Sequence, residues 1–164
     1  MKKEILIHTD ELNRKWIDRM SAEGGEVLGL HPVGGNESVD SLEHLLRSFR
    51  DPEFRELVDY AAERGLEIEY EMHAAGYLLP RGLFAAHPEY FRMNENGERV
   101  SDYNFCISNK DALDIVASRA VQLANSLYRS RHSYYFWMDD KKGRRLPLPA
   151  VPPIFCLRAA IDGC

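Results

Sequence analysis

The chain lacks an excess of positive charge, a long apolar run and any regular spacing of cysteines, and each absence removes a class of function. Its 21 Lys and Arg residues are outnumbered by 26 Asp and Glu, for a formal net charge of -5, and the two signs are interspersed without a basic stripe. Nucleic acid is therefore not an expected partner, because a phosphate backbone is held by clustered cations. The first residues, MKKEILIHTDE, hold two lysines but only a three-residue apolar run before His8, too little for a secretory signal. No stretch approaches the length that crosses a bilayer, so the expectation is a cytoplasmic protein with no membrane partner. The three cysteines, Cys106, Cys156 and Cys164, form no close pair and no metal-ligand spacing. Cys106 reads as a buried, inert thiol, since no electropositive neighbour is evident in the sequence. Internal repeats are missing, and so are low-complexity segments apart from a proline-rich tail.

What is present is enough chain, 164 residues, for one domain with a sizeable core. Lys3 to Thr9 reads as a short strand, and Asp10 to Glu23 as a helix carrying Leu12, Trp16, Ile17 and Met20 at helical spacing up to Gly24-Gly25. Glu26 to Leu30 repeats the strand signal. A loop rich in Gly and Pro then leads to a helix from Ser41, and a second apolar period runs over Phe54, Leu57, Val58 and Ala61 with Pro52 in its first turn. After Gly65, Leu66 to Ala75 alternates strictly, with Ile68, Tyr70 and Met72 on one face and Glu69, Glu71 and His73 on the other. A loop with Gly76, Pro80 and Gly82 and an Asn96-Gly97 hairpin signal together read as an insertion at one end of the sheet. A helix beginning at Ser108 or Asn109 presents Ala112, Leu113, Val116, Ala120, Leu123 and Leu127 as its stripe. The fourth strand is HSYYFWMDD, His132 to Asp140. Four βα-type units laid end to end imply an α/β fold with a parallel sheet and right-handed crossovers.

In a parallel barrel the outward strand face packs on helices and is apolar, while the inward face is polar near the carboxyl ends, where it lines the site. That rule sends Ile68, Tyr70 and Met72 to the helices and turns Glu69, Glu71 and His73 inward. It places His8 and Asp10 at the end of the first strand, His31 at the end of the second, and Tyr135, Trp137 and Asp139 on one face of the fourth, with Asp140 at the loop junction. Any one of these groups alone is as often a hydrogen-bonded structural residue. Their convergence at four successive strand ends marks a ligand site. Asp139 and Asp140 are the candidate acid and base, although neighbours on an extended strand point opposite ways, so only one of them meets substrate directly. Tyr77, Tyr103 and Trp137 are either a flat surface for sugar rings or ordinary core and rim. His87-Pro88 and the NENG turn are either a lid or a spacer.

The segment HPEYFRMNENGERV, then NFCISN entering a helix, then a strand ending in carboxylates, resembles an uncharacterised family of glycoside-hydrolase-like barrels related to the α-glucuronidases and β-hexosaminidases. The likeness runs over about residues 4 to 140 in element order, and its most specific parts are His87 to Val100 and Asn104 to Asn109. It implies a (β/α)8 barrel of which this chain holds the amino-terminal half, a carbohydrate substrate and no cofactor. The hexosaminidase-like relatives carry an acidic pair at the end of strand 4, where Asp139 and Asp140 stand; theirs is Asp-Glu, so Asp-Asp departs from the pattern at the general acid. Family members continue with Cys-x-Cys-x-x-Cys, whereas this chain has Pro. One choice of codons for Leu146 to Pro152, shifted by a base, yields Cys-His-Cys-Pro-Gln-Cys. Residues 1–142 are accordingly expected to be the half barrel, and 143–164 an irregular, frameshifted tail; the alternative is a native proline-rich arm. Such a half barrel would be weakly active or inactive and would associate with itself through open edges at the first and fourth strands. Two rivals stand beside this reading. One is a metal-dependent hydrolase using His8, His31 and His73, which the lack of a His-x-His pair disfavours. The other is a non-catalytic carbohydrate-binding barrel.

Overall fold

In the computed structural model of the chain the described residues are 2–129, 134–138 and 154–156, the last three by their backbone. β1 (Glu4–Ile7), β2 (Val27–Leu30), β3 (Glu67–His73) and β4 (Tyr134–Trp137) lie side by side in sequence order, and each pair is parallel. Parallel neighbours in sequential order need crossovers that all turn the same way, which collects the helices on one face of the sheet. The register sets Ile7, Leu30, Tyr70 and Tyr134 in one row on that face. Together with Leu28, Ile68, Met72 and Phe136 they meet Ile17 and Met20 of α1 (Arg14–Ala22), Leu42 and Leu45 of α2 (Ser38–Ser48), Val58 and Ala61 of α3 (Pro52–Glu63), and Ala120 and Leu123 in a later helix. Each large side chain buried there contributes about 1.5–3 kcal/mol. The opposite, inner face carries Glu4, Leu6, Gly29, Glu69, Glu71 and Tyr135, and it is open enough to leave Leu6 44% exposed. The architecture is that of a partial barrel: helices outside, a polar concave face inside.

Local chemistry moves several boundaries from their expected places. Thr9–Glu11 is a 3-10 turn, and α1 starts only after Asn13, whose side chain accepts from the Trp16 N–H at 3.1 Å. An Asn ahead of a helix satisfies an otherwise unpaired donor and so fixes the start. Trp16, expected on the buried stripe, is 43% exposed. α2 begins at Ser38, not Ser41, because a 3-10 turn over Gly35–Glu37 feeds straight into it. Asp51 caps α3 and Pro52 stands in its first turn. The expected loop after β3 contains a short helix, α4 (Ala75–Leu78), and a 3-10 segment, Arg81–Ala85. The expected hairpin is reduced to single bridges, Phe91 to Phe105 and Met93 to Arg99, since the Asn94 side chain takes the Asn96 and Glu98 N–H groups and closes the turn by itself.

Three arginines organise the insertion. Arg81 donates to the carbonyls of Leu79, Asp102 and Asn104 and lies over the Phe91 ring, Arg92 pairs with the Asp102 carboxylate through two contacts, and Arg99 donates to the Phe91 carbonyl at 2.6 Å. A second, smaller apolar cluster of Ala75, Leu79, Phe91, Phe105 and Ala112 sits beneath them. The insertion ends at α5 (Lys110–Ser126), capped by Asn109, whose side chain accepts from the Ala112 N–H.

The tail departs from expectation in one respect. Ile154–Cys156 forms a strand, β5, that pairs antiparallel with β4, so that edge of β4 is covered rather than open. An unpaired strand edge is a template that any apolar extended segment satisfies. The direction is opposite to that of the next strand of a barrel, so β5 does not continue the parallel series.

Candidate functional site

Three imidazoles form a ladder across the carboxyl ends of the strands. His8 Nδ1 donates to the His31 carbonyl at 2.8 Å, His31 Nδ1 to the Glu71 carbonyl at 2.7 Å, and His73 Nδ1 to the Met138 carbonyl at 2.9 Å. A carbonyl oxygen only accepts, so each Nδ1 carries the proton and each Nε2 is left as an acceptor while the ring is neutral. Ring centroids are 5.7 Å apart from His8 to His31 and 5.6 Å from His31 to His73, and the Trp137 indole lies 5.1 Å from His31 and 5.2 Å from His73. Burial holds His31 below its ordinary value, aided by the charges of His73 and His8 and opposed by the bond to the Glu71 carbonyl. The loop after β2 closes over the ladder at Gly34, where a Cβ would stand 2.5 Å from His73 Cδ2. Any other residue there displaces the ring.

Lower on the same face the carboxylate oxygens of Glu4, Glu69 and Glu71 lie within 4.8 Å of one another. Glu4 and Glu71 come from β1 and β3 and meet across β2 because Gly29 stands between them. A Cβ on Gly29 would be 2.8 Å from Glu4 Oε1 and 2.4 Å from Leu6 Cδ2. Burial, the hydrogen bond with Glu4 and the charges of Glu4 and Glu69 push Glu71 up to about 8, so it holds a proton at neutral pH. Burial and Glu4 raise Glu69 as well, against Lys2 and a hydrogen bond from Tyr135. Among the described residues this acidic group, and not His8 with His31 and His73, brings its ligand-type atoms that close together.

The remaining candidates fall elsewhere. Asp10 is exposed in the turn after β1. Tyr77 lies on α4 with the Arg119 guanidinium 5.2 Å over its ring, packed toward the main core. The Tyr103 hydroxyl donates to Asn36 Oδ1, tying the insertion to the loop after β2 and so to the ladder's cover. Asp139 and Asp140 lie outside the described residues, directly after Met138. Cys106 requires a correction: Arg99 hydrogen-bonds its thiol, and with the Ser108 and Asn109 N–H groups it brings the thiol below its ordinary value although burial pushes the other way. Little in the amino-acid pattern marks the Glu4–Glu71 contact; a glycine inside a strand, as a mark of close approach, is the available signal.

No protein-family model and no curated protein matches the chain. Among solved structures it is similar to the β-galactosidase from the psychrophilic Marinomonas ef1, with a TM-score of 0.52 and 16% identity over 87% of this chain. The chain spans 22% of that protein's length. At such identity the likeness concerns the fold, and it agrees with the partial barrel: the structural neighbour is a glycoside hydrolase. Among the described residues no helix is long and apolar enough to cross a membrane.

Proposed function

We propose that residues 1–142 are the amino-terminal half of a glycoside-hydrolase-type (β/α)8 barrel and that the strand ends bind and process carbohydrate. The observation that supports this most is the convergence of His8, His31, His73 and Trp137 on the inner side of four successive strand ends. The indole offers a flat apolar face for the C–H side of a sugar ring, and the imidazoles offer hydrogen bonds to its hydroxyls. Asp139 and Asp140, following β4, are the candidate acid and base. Glu71 supports the inner face from below.

On this reading the chain from about Gly143 is a frameshifted tail, and a full barrel of about 250 residues is the functional form. An apolar groove of about 240 Å³ beside β4, lined by Leu113, Val116, Ala117, Ala120, Phe136 and Met138, offers apolar surface to side chains of a following βα unit. Sequencing the gene tests the frame: an uninterrupted frame to Cys164 rejects the tail. For function, the frame-restored protein is screened against a glycan library, with Asp139→Asn and Asp140→Asn made separately. The residue that transfers the proton loses about 10²–10⁴ in turnover with binding retained. Binding without turnover in every form points instead to a binding module.

A further inference from the structure

We propose that β1 is a self-complementary edge through which two copies of the chain pair antiparallel about a two-fold axis at Leu6, so that one sheet runs across both. The inference concerns the chain as it stands and does not rest on the carbohydrate reading.

The backbone leaves this edge open at alternate residues. Lys3 and Ile7 give their carbonyls to the N–H groups of Val27 and His31 on the β2 side, at 3.1 and 3.0 Å. Alternation along an extended chain then turns the backbone groups of Glu4 and Leu6 to the other side, and His8 keeps the extended conformation. Among the described residues no strand pairs there. Ile5 and Leu6, successive residues and so on opposite faces of the sheet, are 40% and 44% exposed along it.

The segment Glu4-Ile5-Leu6-Ile7-His8 is its own counterpart when reversed, which singles out a second copy over a foreign strand. With Leu6 opposite the second copy's Leu6, the two exchange both backbone hydrogen bonds. Ile5 then meets the second copy's Ile7 on the outer face, and Glu4 meets its His8 on the inner face, a carboxylate against an imidazole. Moving the axis by one residue keeps each face with its like but spoils the pairs. Centred on Ile5, the Glu4 carboxylate faces Leu6; centred on Ile7, it approaches Asp10, like charge against like. A contact that uses the same patch on both chains closes at two. β4 is not available for the same pairing, since β5 holds it.

The test uses the 164-residue chain itself, by sedimentation velocity and by NMR-detected amide exchange in dilute and concentrated solution. The expected result is a monomer–dimer equilibrium that stops at two. Exchange at Leu6 slows about tenfold or more in concentrated solution, and exchange at Ile5 and Ile7, whose N–H groups already face β2, changes far less. A chain that is monomeric throughout, or that grows beyond two, overturns the inference. The axis is read by diamide oxidation of single-cysteine variants in which the native cysteines are replaced by serine. In Leu6→Cys the two substituted positions stand about 5.5 Å apart and are expected to join in a covalent dimer. In Ile5→Cys they are offset by two residues, about 8 Å apart and beyond disulfide reach. Cross-linking at Ile5 as readily as at Leu6 overturns the register. A Leu6 amide that exchanges alike at all concentrations overturns the pairing, whether or not the variants fold.

Discussion

At neutral pH Glu71 keeps its proton in the folded chain and loses it in the unfolded one, and this asymmetry makes stability depend on pH. Its ordinary value is 4.5 and the folded value is about 8, so between these limits the folded state binds more protons. Stability contributed by this group is therefore lost as pH rises through that window, with a slope of up to about 1.4 kcal/mol per pH unit. Glu71→Gln, which keeps a hydrogen bond and cannot ionise, is expected to flatten urea-unfolding stability between those pH values; an unchanged slope rejects the assignment. Gly29→Ala pushes on two flexible side-chain ends, Leu6 and Glu4, so it is expected to cost about 1 kcal/mol or less. By turning Glu4 away from Glu71 it also reduces the same pH slope. Cys106 offers a third check at this scale. With Arg99 against its thiol it should alkylate faster than free cysteine near neutral pH, and Arg99→Ala should slow labelling at that site in peptide mapping. Equal rates in the two proteins would remove Arg99 from the account.

Among the elements, α5 has the most to hold. It closes the crossover from β3 to β4, carries Ala120 and Leu123 into the main core and Ala112 into the smaller one, and begins where the insertion ends. Its start depends on the Asn109 side chain, so Asn109→Ala is expected to cost about 1 kcal/mol, read as a lowered Tm. Asn109→Asp, which keeps an acceptor at the cap, should restore most of it. If Ala and Asp behave alike, the cap is not what fixes this helix. The stripe of α5 and the alternation of β3 were legible in the sequence, because both are periodicities within one segment. The turns around them were less so. Asn13 and Asn94 spend their side chains on nearby backbone donors, and such local bonds move an element's boundary without changing its apolar pattern.

At the scale of the whole molecule, the unpaired side of the sheet among the described residues lies at β1, since β5 covers β4. Ile5 and Leu6 of β1 are 40% and 44% exposed, with Lys2, Lys3 and Glu4 as the nearest charges. We expect the chain to associate with concentration in sedimentation velocity, and Ile5→Lys to weaken that association, because a charge on an edge strand opposes pairing. A chain that stays monomeric at every concentration would show that the edge is protected by other means.

The sequence by itself determined the order of the four parallel strands and the longer helices between them, the apolar outward face of β3 and the placing of histidines at strand ends, because each depends on spacing within a short segment. Tertiary structure alone decided which groups meet. Glu4 reaches Glu71 only because parallel register puts Gly29 between them, and each imidazole fixes its tautomer on a carbonyl of another residue far along the chain. Arg99 finds Cys106 by the path of the insertion, and β5 finds β4 because an unpaired edge accepts whatever strand arrives. Periodicity is a local property of a chain; register and the pairing of distant backbone groups are not, and the chemistry of this site depends on them.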